Sequence, residues 1–116
     1  MADLEPLIAQ LRQFVAERDW QQFHDPKNLA MLIASEAGEL LAEYRWVSNG
    51  AADAHSADAD ARARITAEIG DVGIGLLLLC DRIGVDLGRA IEDKLASNRA
   101  RYPADKTRGK ANRPEG

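Results

Sequence analysis

The chain has 116 residues, 46% hydrophobic and 29% charged. That suits one small soluble domain, and it excludes separate cofactor and substrate lobes, a disordered chain and a collagen-like repeat. Fifteen basic against nineteen acidic side chains leave a net charge of −4, which argues against a nucleic-acid binder, since that needs a basic face to displace counterions. A small phosphorylated ligand stays open, because a metal ion can supply the positive charge. The lone cysteine, Cys80, excludes an internal disulfide and a cysteine-based zinc site.

The opening Met1-Ala2-Asp3-Leu4-Glu5 is acidic and lacks the basic and apolar regions of a secretory signal. The longest apolar run, Val72 to Cys80, falls far short of the roughly 20 residues of a membrane span. The expectation is a soluble cytoplasmic protein without a membrane partner.

A first helix is expected from Leu4, Leu7, Ile8, Leu11, Phe14 and Val15, with Asp3 as its cap. Pro26 restarts the chain after a polar–aromatic stretch. The second helix carries Leu29, Leu32, Ile33, Ala37, Leu40, Leu41 and Tyr44 on one stripe and runs to Trp46. Ser48 to Asp60 lacks an apolar period and reads as a mobile loop whose last part is already helical, with His55 exposed on it. A third helix shows Ile65, Ile69, Val72, Leu76, Leu79, Cys80 and Ile83, closed by Gly84. Asp86 caps a fourth, which carries Leu87, Ala90, Ile91 and Leu95. No strand pattern occurs. The fold class is all-α: one domain over residues 1–103, then a flexible polar tail over 104–116.

Two acid pairs stand out, Glu36-x-x-Glu39 and Glu68-x-x-Asp71. Residues three apart on a helix are neighbours, and Glu36 and Glu68 fall on the apolar stripes, where a lone carboxylate is costly. Glu36 is roughly 15 Å from the expected helix end at Trp46, and Glu68 and Asp71 are roughly 12–17 Å along the third helix. Antiparallel helices would bring both pairs level, about 8–10 Å apart, and close them on a hard cation, Mg²⁺ or Mn²⁺. Alternatively they are surface acids, or they pair with Arg45, Arg62 or Arg64.

Lys94 and Asn98, four apart on the apolar side of the fourth helix, read either as a polyphosphate contact opposite that metal or as a snorkelling lysine with its neighbour. Trp20 and Trp46 read as helix-end packing residues or as stacking platforms for a base. With two histidines and no Glu-x-x-His, a ferritin-like di-iron centre is disfavoured.

One ordered set spans Phe14 to Pro103. It comprises Glu17-Arg18-Asp19-Trp20, Phe23-His24-Asp25-Pro26-Lys27-Asn28-Leu29, Glu36-x-x-Glu39 with Trp46, Glu68-x-x-Asp71 and Lys94-x-x-x-Asn98-x-x-x-Tyr102-Pro103. The set resembles the all-α nucleoside triphosphate pyrophosphohydrolases of the MazG-like superfamily, and within it the dCTP pyrophosphatase branch. The resemblance implies an oligomeric four-helix antiparallel bundle, a homodimer or homotetramer. It also implies cleavage of a nucleoside triphosphate to monophosphate and pyrophosphate, with Glu36, Glu39, Glu68 and Asp71 as Mg²⁺ ligands. Glu36 or Glu39 would take a proton from the attacking water. Trp20 and Trp46 would hold the base, Lys94 and Asn98 would contact phosphate and sugar, and His24, Lys27 and Tyr102 would complete the substrate site.

This chain departs from the animal members of that branch at two positions bordering the base. Leu11 stands where they carry histidine and Gly75 where they carry tyrosine, so a roomier pocket is expected. Preference for dUTP or an oxidised purine, or a non-catalytic helical interaction module, are the other functional readings.

Overall fold

The structure, a computed structural model, describes residues 4–110. The expected cap Asp3 and tail residues 111–116 lie outside the described residues. All regular structure among the described residues is helical. The chain divides into two units, one ending at Gly84 and one beginning at Val85.

In the first unit, α1 spans Leu4–Glu17 and a 3-10 turn spans Gln21–Phe23. α2 follows at Pro26–Ala42. Asp25 is extended there and its carboxylate accepts the Asn28 N–H at 3.0 Å, while Pro26 takes a first-turn position that needs no N–H. α2 ends at Ala42 rather than continuing to Trp46. The N–H groups of Glu43, Tyr44 and Arg45 turn to carbonyls three residues back, at 2.9–3.3 Å, which tightens the helix out of α geometry.

The expected loop is largely ordered. A 3-10 turn at Asn49–Ala51 leads into the short helix α3, Ala52–Ala57. Ser56 Oγ donates to Ala52 O at 2.8 Å, so the Tyr44 hydroxyl is the donor in its 2.6 Å bond to Ser56 Oγ. His55 Nε2 bonds the Glu43 carbonyl at 3.0 Å, and its ring stands edge-on to Tyr44. His55 is therefore half-buried, not exposed as expected. A helix this short has no readable period and is marginal alone; its contacts with the end of α2 hold it.

α4, Ala59–Ile83, begins where Asp58 accepts the Ala61 N–H at 3.1 Å. It stops at Gly84, whose φ of 72° is the left-handed conformation glycine tolerates. α2, α1 and α3 all pack on α4. α2 and α4 run antiparallel: Arg64 meets Glu43, Glu68 meets Glu36 and Glu39, and Gly75 meets Ile33. A Cβ at Gly75 would lie 3.1 Å from Ile33 Cγ1, so a bare backbone is what allows this close approach. The core comprises Val15, Leu29, Ala61, Ile65, Leu77 and Cys80. Arg12 on α1 grips both oxygens of Asp81 near the end of α4, with Nε contacts of 3.0 and 3.1 Å.

In the second unit, α5 spans Leu87–Arg101, with Asp86 accepting the Arg89 N–H at 2.8 Å. α6, Ala104–Thr107, is one turn at the start of the expected tail, fastened by Thr107 Oγ1 donating to the Pro103 carbonyl at 2.8 Å. Among the described residues no helix is long and apolar enough to cross a membrane.

Candidate metal centre

The antiparallel register of α2 and α4 places Glu36 and Glu39 opposite Glu68. Each offers one carboxylate oxygen, and these oxygens lie within 4.8 Å of one another. Glu36 and Glu68 are half-buried and Glu39 is exposed. The Oε2 atoms of Glu36 and Glu68 are buried, with no hydrogen-bond partner among the described residues. Asp71, exposed one turn beyond Glu68, stands outside the trio, but its charge acts on both half-buried acids.

Burial, then the charges of Asp71 and Glu39, hold the Glu36 carboxyl above its usual range. Burial, then Glu39, Asp71, Glu36 and Glu43, do the same to Glu68. Among the described residues no lysine, arginine or histidine pairs with any of the four acids. Of the arginines considered as partners, Arg64 pairs with Glu43 and Arg62 donates to the Ser56 carbonyl.

Buried carboxylate oxygens beside further carboxylates, with no basic side chain paired to them, are costly unless a positive charge joins them. The donor set is all oxygen and strongly anionic, and two helices hold it, so it fits a hard divalent ion such as Mg²⁺ or Mn²⁺.

The sequence reading missed the ion pair beside this trio. Arg64 Nε donates to Glu43 Oε2 at 3.1 Å. The available signal was spacing, since Glu43 lies four after Glu39 and Arg64 four before Glu68.

Trp20 lines an apolar pocket of about 190 Å³ with Leu11, Phe14, His24, Leu32 and Ile74. Its ring stands edge-on to Phe14, which carries the Arg18 guanidinium 3.7 Å over its face. Leu11, Phe14 and Ile74 also border a groove of about 470 Å³ between α1 and α4, with Leu7, Gly70 and Gly73 on its walls. Leu11 thus faces open space. Gly75 does not, because Ile33 and Leu32 close over it.

Trp46 is 90% exposed and lines neither cavity. Lys27 is exposed in the first turn of α2. Lys94, Asn98 and Tyr102 stand in the second unit, Lys94 exposed and the other two half-buried. There the Tyr102 N–H donates to the Asn98 carbonyl at 2.7 Å.

Comparison with known proteins follows the same lines. The MazG-like family profile matches residues 31–113. dCTP pyrophosphatase 1 of Rattus norvegicus is 40% identical over 111 residues, covering 92% of this chain and 65% of that protein. The Homo sapiens protein of the same name is 39% identical over 104 residues, covering 86% and 61%. The chain thus spans about 65% of the length of the curated relatives it matches. The crystal structure of a pyrophosphatase from Archaeoglobus fulgidus superposes with a TM-score of 0.82 at 34% identity, covering 89% of this chain and 94% of that one. The chain belongs to the MazG-like family.

Proposed function

We propose that the chain is a cytoplasmic nucleoside triphosphate pyrophosphohydrolase. It would cleave dCTP or a modified deoxynucleoside triphosphate between the α and β phosphates with a divalent ion, Mg²⁺ or Mn²⁺, held by Glu36, Glu39, Glu68 and Asp71. The observation that carries this reading is the buried, unpartnered oxygen on each of Glu36 and Glu68, two members of a carboxylate trio that converges across α2 and α4. The pyrophosphatase relatives supply the reaction class. Once bound, such an ion supplies positive charge against the triphosphate and lowers the proton affinity of the attacking water.

Glu36 or Glu39 takes the water's proton as its oxygen bonds to the α phosphorus. The bond from that phosphorus to the α–β bridging oxygen breaks, and pyrophosphate leaves with the electron pair. Trp20 and His24, on the wall of the apolar pocket, border the base. Trp46 offers a bare ring for stacking. By family resemblance, Lys94 and Asn98 contact phosphate and sugar, and Lys27 and Tyr102 border the substrate. Leu41, Ile69 and Ile91, exposed at 68%, 56% and 57%, support a homodimer or homotetramer that covers them. A pocket whose polar lining is only Trp20 and His24 favours one further reading, a base range extending to dUTP or an oxidised purine.

The test is purified protein with Mg²⁺ and a nucleotide panel. Monophosphate and pyrophosphate should appear, and both should vanish with EDTA and in Glu36→Gln and Asp71→Asn. Orthophosphate release, or full turnover in both variants, rejects the mechanism. Ion binding with no turnover of any nucleotide identifies an interaction module instead.

A further inference from the structure

We propose that Glu43 and Arg64 form a positioning pair that sets how tightly the carboxylate cluster holds its divalent ion, with Arg64 cancelling a fifth negative charge beside it. The inference rests on the divalent-ion reading above. The two residues flank the trio by one turn each, Glu43 at the cap that closes α2, four after Glu39, and Arg64 on α4, four before Glu68. Arg64 Nε reaches Glu43 Oε2 at 3.1 Å, with side chains 55% and 21% exposed respectively. Glu43 is held a second way, by His55 Nε2 on its carbonyl at 3.0 Å. Its place is therefore fixed by α3 as well as by its ionic partner.

Glu43 is close enough for its charge to be felt at the Glu68 carboxyl. The four acids of the centre already exceed the charge of one divalent ion. A fifth bare carboxylate would deepen the negative potential there, and an unpaired guanidinium would offset it. Paired, the two cancel. Nothing else among the described residues brings a basic side chain into an ion pair with an acid facing this cluster.

A brace that merely holds α2 against α4 makes a different prediction. Losing either partner removes the same 3.1 Å bond, so both losses would move ion affinity the same way. Charge tuning moves it in opposite ways.

The experiment is a calorimetric Mn²⁺ titration of the full chain as wild type, Arg64→Gln, Glu43→Gln and the double variant, with the melting temperature of each. Arg64→Gln is expected to tighten Mn²⁺ binding and Glu43→Gln to weaken it, each by roughly three- to tenfold, with the double variant within about twofold of wild type. Arg64→Lys keeps the charge and should leave the affinity unchanged even if its melting temperature falls, which guards against a variant that simply folds poorly. Shifts in the same direction, or none in either single variant, overturn the proposal while leaving the metal centre intact. Wild type that takes up no more Mn²⁺ than Glu36→Gln overturns the divalent-ion reading itself.

Discussion

Stripping divalent ions from this protein should leave a fold that loses stability as pH rises above 4.5. Glu36 and Glu68 have an ordinary value of 4.5, and in the fold burial first, then neighbouring carboxylates, raise it. The folded chain therefore holds those protons more tightly than the unfolded chain. In the window that opens at 4.5 and extends upward the native state binds more protons, so stability falls with rising pH. Asp81 runs the other way. Its hydrogen bond with Arg12 holds it below its ordinary 3.8, so its contribution is present above 3.8 and is lost as pH falls through the folded value. The metal-free protein should be most stable between these windows, on the acid side of neutrality.

A divalent ion removes the cause of the loss. At a concentration one hundred times its Kd it contributes about 2.7 kcal/mol. With a melting entropy of about 2.1 cal/mol/K per residue, that raises the Tm of the 116-residue chain by roughly 11 °C. The shift should grow with pH, because ion and protons compete for the same oxygens. Scanning calorimetry across this pH range, in EDTA and in Mg²⁺, measures both quantities. A metal-free Tm that is flat or rising as pH climbs above 4.5, together with no Mg²⁺ shift, would refute the reasoning.

Leu29 is 1% exposed at the start of α2, so Leu29→Ala should cost about 3 kcal/mol in urea unfolding. A loss under about 1 kcal/mol would show that the core collapses onto the gap. Trp46 is 90% exposed, so Trp46→Ala should change stability by less than about 0.5 kcal/mol. It should nonetheless raise KM roughly tenfold if the ring stacks on the base, a contact worth about 1–3 kcal/mol. Steady-state kinetics beside a melting curve separates the two effects.

The long helices were legible because each carries an apolar stripe, and several of their ends are chemically marked. Gly84 and Asp86 read as a stop and a cap, and they occupy those positions. α3 was not legible. Its sequence is short and alanine-rich, and Tyr44 and the Glu43 carbonyl hold its Ser56 and His55 from the turn that follows α2. The end of α2 escaped for a related reason, since nothing in Tyr44-Arg45-Trp46 marks the change from α to 3-10 bonding.

Counting residues from the helix ends set Glu36, Glu39, Glu68 and Asp71 level, and the structure brings the first three together while Asp71 stands outside. Level alone does not give the rotation of one helix against another, and rotation decides that Arg64 meets Glu43 rather than one of the paired acids. It also decides that the space beside Gly75 goes to Ile33 instead of widening a pocket.

α1 buries one side chain, Val15, and its ionic hold on α4 is the exposed Arg12 clasping Asp81. Dissolved salt weakens such a clasp, with screening lengths of about 8 Å at physiological strength, and acid weakens it by protonating the carboxylate. The rod that carries Leu11 and Phe14 is thus lightly moored, and rapid amide exchange along it would report that slack. Entry to the aromatic pocket then depends on the ionic medium through a fastener remote from the chemistry.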